Sequence, residues 1–520
     1  MIFKPVEDAA KSKRWLDKSR AMASPGAVTC SLRAIHTQCR RQISTTSVRL
    51  GPPSIAPKPS VNIREIRQNP DQHSQNCVLR NYENQRNSPF EIVRLFDEWK
   101  ELQRNGRGLR EKSNAIRTKL SHRKTFSGCE AGAHSIESAE PGKQGHLLEE
   151  ARSLKQQIGE IESQEAELNT SIEILASDLP NLTSPETPSS DLEPQVVNYI
   201  NAPPSHFSSS ASTWRNHVHL GMEFGLLDFS SAGTTSGWGW YYLKNEAALL
   251  EQALIQFSLS VAMQRGFKVV TPPSIVYSHI ASASGFRPRD QNGEQQVYAI
   301  QQNEKAKNAG KPELSLAGTA EIPFAALKAN TMIPETDLPY KIIGPSRCYR
   351  AEAGARGIET KGLYRVHEFT KVEMFGWTLP DRSEELFYQM LSIQTQILSD
   401  LGLYCRVLEM PAHDLGASAY RKRDIEAYFP SRKEKGKGWG EVTSTSMCTD
   451  YQSRRLATRV KSKEGGIDFP HTVNGTAMAV PRVLAALLEN GWNEEEELIR
   501  VPEVLWPWMH GCQVIRKKKG

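Results

Sequence analysis

Apolar residues recur at every third or fourth position in two long stretches of the N-terminal third of the chain. In the first stretch these positions are Ile92, Leu95, Trp99, Leu102, Leu109, Ile116 and Leu120, with Gly106 and Ser113 at the two weak steps. In the second they are Leu147, Ala151, Leu154, Ile158, Ile161, Leu168, Ile172 and Leu175, interrupted by Glu165. This heptad spacing predicts two helices paired along one apolar seam. Because a Gly- and Ser-rich stretch over residues 121–146 joins them, we predict an antiparallel coiled-coil hairpin over about residues 90–178, each helix reaching about 45 Å.

The basic residues toward the tip of this predicted arm bear on its purpose. They are Arg104, Arg107, Arg110, Lys112, Arg117, Lys119, Arg123 and Lys124. Such a row of cations suits a phosphate backbone, because each contact releases a counterion from the nucleic acid. A row of charges is equally typical of a solvated helix face, and a long coiled coil is equally typical of a dimerisation element. The residues alone leave both interpretations of the arm open.

A different pattern follows the prolines of LPNLTSPETPSS, which no helix continues. From about residue 200 onwards, helical stretches alternate with short runs typical of β-strands. The stretch NEAALLEQALIQFSLSVAMQRG predicts a long helix that stops at Gly266, and FKVVTPP predicts a strand that runs into prolines. By pattern, the chain therefore divides into a helical arm and a body of mixed helices and strands.

The composition narrows the class of protein. With 520 residues the chain is too long for a single core, which predicts two folded domains plus tails. Apolar residues make up 38% of the chain, its mean hydropathy is -0.51, and no run approaches the roughly 18 apolar residues of a membrane-spanning helix, so we expect no membrane segment. The 8 cysteines form no CxxC pair, which argues against a zinc site or a disulfide framework. The net charge of +6 suits a protein that binds a polyanion.

The N-terminal segment has the composition of an import peptide. No acidic residue occurs between Asp17 and Glu65, and SLRAIHTQCRRQISTTSVRL is rich in Arg, Ser and Thr without a long apolar centre. These features are typical of a mitochondrial presequence and not of a secretory signal. We predict that residues 1–59 are an import peptide followed by a Pro-rich linker. The alternative is a disordered basic tail.

One segment combines a basic loop with two strand-like runs. YKIIGPSRCYR ends at Arg350, whose guanidinium can bind phosphate through two parallel hydrogen bonds, and Glu352 follows two positions later. Beyond the loop, Arg365 adds a cation, Phe369 offers a flat face for a base, and Glu373 lies on the same strand face as Phe369. The set predicts a nucleotide site on an antiparallel hairpin. The sequence has neither GxxxxGK[ST] nor GxGxxG after a strand, so P-loop and dinucleotide-binding folds are excluded.

Two further segments supply oxygen ligands and a cation. GEVTSTSMCTDYQSRR places Glu441 and Ser444 three residues apart, and such ligands suit Mg²⁺ that is held together with substrate phosphates. HTVNGTAMAVPRVLAALLENG predicts a strand that turns into a helix, with Arg482 near the helix start. A charged side chain in such apolar surroundings needs a partner, although a plain surface cation is the alternative.

The order of these motifs resembles that of class II aminoacyl-tRNA synthetases, and the individual motifs resemble those of seryl-tRNA synthetases. GFKVVTPP resembles motif 1, whose proline, here Pro273, lies at the dimer interface in that family. RCYRAEAG with GLYRVHEFTKVE resembles motif 2, and NGTAMAVPRVLAALLEN resembles motif 3. GTAEIP resembles the loop that holds the amino group of serine, and the hairpin resembles the arm that contacts the variable arm of serine tRNA. The resemblance covers about residues 60–515.

This resemblance implies an α+β fold, with an N-terminal coiled-coil helical arm and a class II catalytic domain built on an antiparallel sheet flanked by helices. It implies a tRNA-binding domain over residues 60–185, a catalytic domain over residues 186–515 and a basic tail over residues 516–520. The implied activity is ATP-dependent ligation of L-serine to tRNA(Ser) through a seryl-adenylate. The implied enzyme is a homodimer of the mitochondrial matrix that uses ATP as substrate and Mg²⁺ as cofactor.

Matched by position, the resemblance also implies roles for single residues in binding ATP. The implied ATP site comprises Arg350, Ala351, Glu352, Arg365, Val366, Phe369, Glu441, Val442, Thr443, Ser444 and Arg482. Arg350 would bind the α-phosphate and Arg365 the γ-phosphate, while Phe369 and Arg482 would sandwich the adenine. The catalytic residues would be Arg350, Glu352 and Arg482. The ligands of Mg²⁺ would be Glu441 and Ser444.

The implied serine site comprises Thr319, Ala320, Glu321, Glu373, Asn474 and Thr476. Thr319, Ala320 and Glu321 would bind the amine, and Glu373 would bind the hydroxyl group. Two other interpretations of the body stay open, a non-catalytic paralogue and an adenylating ligase that charges a carrier protein. The complete set of ATP residues speaks against the paralogue, and the two heptad seams speak against the carrier-protein ligase.

Overall fold

The computed structural model describes residues 56–126, 141–189, 192–204, 215–286, 297–351, 362–433 and 438–517, with the side chains of 121–126 and 141–144 left aside. All elements below belong to one unit, Pro57–Gly520. The predicted import peptide, the tip of the arm, most of the predicted basic tail and Glu352 lie outside the described residues. The described cysteines, Cys77, Cys348, Cys405, Cys448 and Cys512, are free thiols, as the scattered spacing predicts.

The arm consists of two long helices that lie side by side. Two short helices, α1 (Ile63–Gln68) and α2 (Pro70–Leu79), precede the arm helices α3 (Ser88–Phe126) and α4 (Pro141–Asp178). The predicted heptad seam lies along their contact, where Ile92, Leu95 and Ile116 of α3 and Leu154 and Ile172 of α4 are buried. Most positions between the seam residues are exposed. The helices α1 and α2 pack against the base of this pair and close its apolar cluster.

An ion pair occupies the one interruption of the predicted seam. Glu165 is buried in the coil, and both of its carboxylate oxygens lie 3.3 Å from Arg110 Nη2. Gly106 allows this close packing, since a Cβ there would lie 3.0 Å from Arg110 Nη1 and 3.2 Å from Ile161 Cγ2. Arg110, one of the predicted basic residues, is therefore only partly exposed, and its charge is already paired with Glu165 and, at 3.6 Å, with Glu162. Arg107, in contrast, is exposed, as predicted.

The body contains the remaining helices of the described chain. These are α5 (His217–Glu223), α6 (Phe229–Ser236), α7 (Glu246–Gln264), α8 (Ser278–Ala283), α9 (Glu304–Asn308), α10 (Glu321–Ala326), α11 (Ser383–Asp400), α12 (Tyr451–Arg455) and α13 (Val480–Asn490). Short 3₁₀ turns span Glu83–Gln85, Glu335–Asp337, Pro380–Arg382, Ala412–Asp414, Pro430–Arg432 and Glu503–Met509. The predicted long helix is α7, and Gly266 follows its end with φ of 83°, which suits a glycine stop. Within the described residues, every helix is too short or too polar to cross a bilayer.

The strands form one large sheet and several small ones. In chain order they are β1 (Gln195–Ile200), β2 (Leu227–Asp228), β3 (Tyr242–Leu243), β4 (Lys268–Val269), β5 (Ile275–Tyr277), β6 (Ala299–Ile300), β7 (Leu314–Leu316), β8 (Met332–Pro334), β9 (Tyr340–Tyr349), β10 (Glu368–Thr378), β11 (Cys405–Glu409), β12 (Arg421–Tyr428), β13 (Trp439–Thr449), β14 (Arg459–Lys461), β15 (Ile467–Asp468), β16 (His471–Ala479), β17 (Trp492–Asn493), β18 (Leu498–Arg500) and β19 (Val514–Arg516). The large sheet has eight strands in the order β1-β11-β12-β13-β16-β10-β9-β4. All its pairs are antiparallel except β4 with β9. The predicted α+β fold with an antiparallel sheet is confirmed.

The two faces of this sheet explain the alternating pattern of β10. On one face, Val372 and Met374 join a core formed with α7, α11 and α13. On the other face, Phe375 and Trp377 pack with residues of α8 and α10. Because side chains alternate along a strand, Phe369, Lys371 and Glu373 share this second face. The order of strands then places the motif-bearing β9, β10, β13 and β16 side by side.

Candidate active site

A cavity of about 110 Å³ lies at one end of β9, β10 and β13, beside the start of α13. The predicted ATP residues that line it are Arg350, Arg365, Val366, Phe369, Glu441, Val442, Thr443, Ser444 and Arg482. Of the rest, Ala351 follows Arg350 outside the lining, and Glu352 lies outside the described residues. Segments more than a hundred residues apart thus contribute to one cavity.

Arg350 and Phe369 form one wall of this cavity. Arg350 follows the last residue of β9, and its backbone N–H donates to the carbonyl oxygen of His367 at 2.9 Å. Its guanidinium carbon lies 5.2 Å from the centroid of the Phe369 ring. A cation and an aromatic face therefore stand together, as binding of a phosphate and a base requires.

Arg482 forms the opposite wall with Glu441 and Tyr364. Its Nη1 lies 3.0 Å from Glu441 Oε2, and its Nε donates to the carbonyl oxygen of Tyr364 at 3.2 Å. The guanidinium carbon lies 4.6 Å from the centroid of the Tyr364 ring. Burial raises the pKa of Glu441, but the positive charges of Arg482 and Lys422 outweigh that effect and lower the pKa to about 2. Arg482 is thus a paired residue of the cavity, and the surface-cation alternative is wrong.

Glu441 and Ser444 are suited to hold Mg²⁺. Both line the cavity, and the lowered pKa keeps the Glu441 carboxylate ionised. Gln394 of α11 donates to the carbonyl oxygen of Ser444 at 2.8 Å, which fixes that residue in place. Among the described residues, no group of three or more His, Cys, Asp or Glu side chains surrounds a metal position. A carboxylate and a hydroxyl with substrate phosphates suit Mg²⁺, which seldom takes an all-protein set of ligands.

A second group of buried polar side chains adjoins the cavity around Glu373. Glu373 is 1% exposed and stands opposite Thr476 of β16 in the sheet. Its carboxylate accepts hydrogen bonds from Thr476 Oγ1 at 3.2 Å and Asn474 Nδ2 at 3.5 Å. Lys371 Nζ, 2.8 Å from Glu373 Oε2, compensates the charge. Lys371 and Thr476 also line the cavity, so they link the two groups.

Glu321 adds a second carboxylate to this group. It begins α10, directly after the buried Thr319 and Ala320, and its backbone N–H donates to Thr319 Oγ1 at 3.3 Å. Asn474 Nδ2 donates to Glu321 Oε2 at 3.0 Å, and Gln452 Nε2 donates to Oε1 at 2.7 Å. Burial, reinforced by the charge of Glu373, raises the pKa of Glu321 to about 8. Two carboxylates in a buried space are suited to bind a small ligand that carries an ammonium group and a hydroxyl group.

Three residues of this site have no role predicted from the sequence. Lys371 had a visible signal, because the alternation of β10 puts it between Phe369 and Glu373 on one strand face. Tyr364 also had a signal, as an aromatic residue directly before Arg365 in the motif. Gln452 had none, because its segment predicts only a short polar helix. Its contact with Glu321 joins residues 131 positions apart.

Comparisons with known proteins agree with the division of the chain into an arm and a body. Residues 61–183 match the family model of the seryl-tRNA synthetase N-terminal domain. Residues 303–491 match that of the tRNA synthetase class II core domain (G, H, P, S and T). The mitochondrial serine–tRNA ligase of Saccharomyces cerevisiae is 42% identical over 70% of this chain and 78% of its own length. The mitochondrial serine–tRNA ligase of Schizosaccharomyces pombe is 35% identical over 88% and 90%.

A further relative and a solved structure provide similar matches. The serine–tRNA ligase of Rubrobacter xylanophilus is 37% identical over 88% of this chain and 99% of its own length. Among solved structures, the seryl-tRNA synthetase from Pyrococcus horikoshii complexed with ATP superposes with a TM-score of 0.77 at 30% identity. That superposition covers 88% of this chain and 100% of the other. The similarity thus includes both the arm and the body.

Proposed function

The chain belongs to the seryl-tRNA synthetases of class II, and from this we propose that it ligates L-serine to tRNA(Ser) with ATP, through a seryl-adenylate, in the mitochondrial matrix. One observation carries the proposal. Lys371 lines the cavity that also contains Arg350 and Arg482, and it pairs at 2.8 Å with Glu373 of the buried carboxylate group. The phosphates of a nucleotide and a small amino acid would therefore bind in adjoining spaces.

The buried carboxylates account for the choice of serine. Glu321, once ionised, pairs with the ammonium group of the amino acid, and Glu373 accepts a hydrogen bond from its hydroxyl group. Alanine leaves Glu373 without that donor in a buried space, and a site built for a hydroxyl rejects such an analogue strongly. Threonine carries an extra methyl group, which binding energy excludes less well.

The reaction needs no nucleophile from the protein. The serine carboxylate attacks the α-phosphorus of ATP, so that one oxygen–phosphorus bond forms and the bond to the bridging oxygen of pyrophosphate breaks. A terminal ribose hydroxyl of tRNA then attacks the carbonyl carbon of the adenylate and releases AMP. Arg350 would stabilise charge on the α-phosphate, and Arg365 and Arg482 would bind other parts of ATP, which is supported by their place in the lining of one cavity. Catalysis then consists of positioning and of electrostatic stabilisation.

Mg²⁺ completes the charge balance of the proposed site. Glu441 and Ser444 would hold the ion, which when bound neutralises part of the negative charge of the phosphates. Arg482 holds the Glu441 carboxylate in place before ATP binds, through the 3.0 Å contact between Nη1 and Oε2. The ionised state of Glu441 across the neutral range supports this role.

The arm and the body divide the work of tRNA binding and catalysis. We assign tRNA binding to residues 60–185, with the outer cations of α3 on the phosphate backbone, and catalysis to residues 186–515. Arg104, Arg107, Lys112, Arg117 and Lys119 are exposed on α3, which supports contact with a polyanion. In the part of the arm that the structure describes, α3 and α4 bury the predicted seam against each other within one chain. An arm that reaches along tRNA is therefore favoured over a dimerisation coil.

A homodimer would form through the motif 1 side of the body. Pro273 is exposed there, between Val269 of β4 and Ile275 of β5, which are also exposed. The neighbouring helix α7 exposes Leu249. Because β4 is the outer strand of the large sheet, its edge and these apolar side chains suit a symmetric contact with a second copy.

Serine-dependent exchange of pyrophosphate into ATP tests the activity, and charging of mitochondrial against cytosolic tRNA tests the assignment to mitochondria. We expect exchange with serine and much less with alanine or threonine, followed by charging of mitochondrial tRNA(Ser). A folded protein that fails to exchange pyrophosphate whichever amino acid is added would contradict the proposed function.

A reporter protein fused to residues 1–59 should be imported into mitochondria, an expectation that the mitochondrial relatives support.

A further inference from the structure

Asn181 joins the base of the arm to the body. It follows the end of α4 at Asp178, and its side-chain Nδ2 donates to the carbonyl oxygens of Ser418 and Cys448, both at 2.9 Å. The same nitrogen lies 3.0 Å from Thr449 Oγ1. One amide group thus connects the chain leaving the arm with the end of β13.

The backbone of Asn181 is anchored on both sides as well. Its N–H donates to the carbonyl oxygen of Ala417 at 2.9 Å, and its own carbonyl oxygen accepts from Asn76 Nδ2 at 3.0 Å. The buried Arg80 also donates to that carbonyl oxygen and to that of Gly416. The backbone of Asn181 is therefore held by the arm base through Asn76 and Arg80 and by the body through Ala417, which fixes the position of its side chain.

The segment that Asn181 holds has an unfavourable backbone conformation. Thr449 has φ of 47°, a left-handed conformation that a β-branched residue rarely adopts. The pairing of β13 with β16 shifts between Met447 and Thr449, so that Cys448 forms a bulge. A bulge redirects the side chain that it carries, and strained residues persist only where their surroundings hold them. The amide of Asn181 supplies such a hold on both Cys448 and Thr449.

The bulge directs Cys448 toward the proposed serine site. Its Sγ donates to Asn474 Oδ1 at 3.4 Å. With its oxygen engaged in this way, Asn474 presents its amide nitrogen to Glu321 at 3.0 Å and to Glu373 at 3.5 Å. The opposite orientation of the amide would place an oxygen against both carboxylates. The contact from Cys448 therefore adds to the two carboxylates in holding Asn474 in this orientation.

We propose that Asn181 is a positioning residue for serine recognition, which acts through the bulge at Cys448 on the amide of Asn474. The inference rests on the proposed function of the site, and it assigns to the end of the arm a part in binding the amino acid. The proposed ATP residues Glu441 to Ser444 lie near the start of β13, whereas Asn181 contacts the end of that strand. Loss of its side chain should accordingly weaken the binding of serine and spare that of ATP.

The test is Asn181→Ala, measured by serine-dependent pyrophosphate exchange. We expect KM for serine to rise about tenfold and KM for ATP to change less than about twofold, because a lost buried hydrogen-bonding group acts on the serine site alone. Asn181→Asp should behave like Asn181→Ala, because a carboxylate of the same shape cannot donate to the carbonyl oxygens.

Asn201 provides a matched control. Like Asn181, it donates from its side-chain Nδ2 to two backbone carbonyl oxygens, those of Leu403 at 2.9 Å and Ser399 at 3.3 Å. It lies after β1, at the opposite edge of the sheet from β4. Asn201→Ala should lower thermal stability to an extent similar to Asn181→Ala and leave both KM values unchanged. A rise in KM for serine in both variants would show a general structural effect and overturn the proposal.

Cys448→Ala tests the contact between Cys448 and Asn474. It also replaces Asn181→Ala as the test of the proposal if Asn181→Ala does not fold. It removes the donor to Asn474 and should raise KM for serine alone. The double variant should be no worse than the more impaired single variant, because both changes break one connection. Unchanged KM for serine in folded Asn181→Ala, or additive effects in the double variant, would overturn the role of Asn181. Absence of serine-dependent exchange from the unaltered chain would instead overturn the proposed function itself.

Discussion

In the arm, α3 and α4 contact each other along one stripe, and most of their other side chains are exposed to water. In the body, the central strands of the large sheet are covered on both faces, and polar side chains such as Glu373 and Thr445 are as buried as the apolar ones. The arm is thus stabilised by a repeated contact between neighbouring turns, and its outer face is available for a ligand. The body stabilises a single arrangement of buried charges.

This difference between the arm and the body predicts how each region responds to deletions and substitutions. In a coiled coil the same type of contact recurs every heptad, so that a shortened hairpin keeps the packing of the part that remains. In the body, Asn474 joins carboxylates that are 153 and 101 residues away along the chain, and each occurs once. A single substitution there removes a function, whereas many substitutions on the outer face of the arm should only weaken binding.

The largest effect is expected for Arg350→Ala. Loss of its charge at the proposed α-phosphate position should lower adenylate formation about 1,000-fold, because it would remove stabilisation of the transition state. Pyrophosphate exchange measures this, with thermal unfolding as the check on the fold. Arg347→Ala is the matched control, since Arg347 lies on β9 three residues before Arg350, is about half exposed and does not line the cavity. Near-normal exchange by folded Arg350→Ala would contradict the assignment.

Deletion of residues 106–161 tests the proposed functions of the arm and the body separately. Gly106 and Ile161 face each other across the coil, so a short Gly linker can join the cut ends without strain. Charging of tRNA should fall about 100-fold or more and lose much of its salt dependence, since phosphate contacts are lost. Serine-dependent exchange should change less than about twofold, and the dimer should persist in light scattering. A monomeric product that still charges tRNA would show that the arm is a dimerisation element.

Glu373→Gln examines the buried charges of the body. It keeps the shape of the side chain but removes the charge that we propose accepts a hydrogen bond from the serine hydroxyl, so kcat/KM for serine should fall about 50-fold. KM for ATP should remain within about twofold of its original value. Glu368→Gln on the same strand is the control, because its side chain lies on the opposite strand face and is partly exposed. Equal effects of the two variants would place Glu373 among merely structural residues.

A smaller effect is expected from pH. The proposed recognition of serine needs ionised Glu321. Burial raises the pKa of Glu321 to about 8, so kcat/KM for serine should rise about fivefold between pH 7 and pH 8. Glu321→Gln should remove this rise along with most of the activity. Stability should change in the opposite sense. The folded chain keeps a proton that the unfolded chain has already lost, so the contribution of Glu321 to stability decreases as pH rises toward 8. A flat pH profile for serine would contradict this assignment.

The smallest effect on activity is expected at the ion pair within the arm. Arg110→Leu leaves Glu165 buried without its main partner and should destabilise the arm by about 1–3 kcal/mol. Replacement of both Arg110 and Glu165 by Leu should restore most of that stability, because an apolar residue in place of Glu165 completes the seam and no unpaired charge remains. Thermal unfolding followed by circular dichroism measures both changes. Pyrophosphate exchange should be unaffected in either variant, and a loss there would show that the arm supports the fold of the body.

Much of the fold follows from the sequence because its signals are local. The heptad seams predict the arm, the alternation around Phe369 and Glu373 predicts β10, and Gly266 marks the end of α7, since each pattern depends only on residues a few positions apart. The motif resemblance likewise identified most residues of the cavity, because each motif is a continuous stretch. The burial of Glu165 was not predictable in this way, because the spacing that identifies the seam does not show what an acidic residue inside it will contact.

The sequence by itself thus determined which elements form and which short motifs carry charge. Only the tertiary structure decided how Lys371 pairs with Glu373, why the pKa of Glu321 is raised, and that Asn181 reaches the bulge at Cys448. Each of these depends on burial and on a partner from a remote segment, and the energy of a buried charge or amide changes steeply with a few ångströms of distance. A spacing pattern contains the period of the nearest helix or strand, but not the distance to a segment more than a hundred residues away.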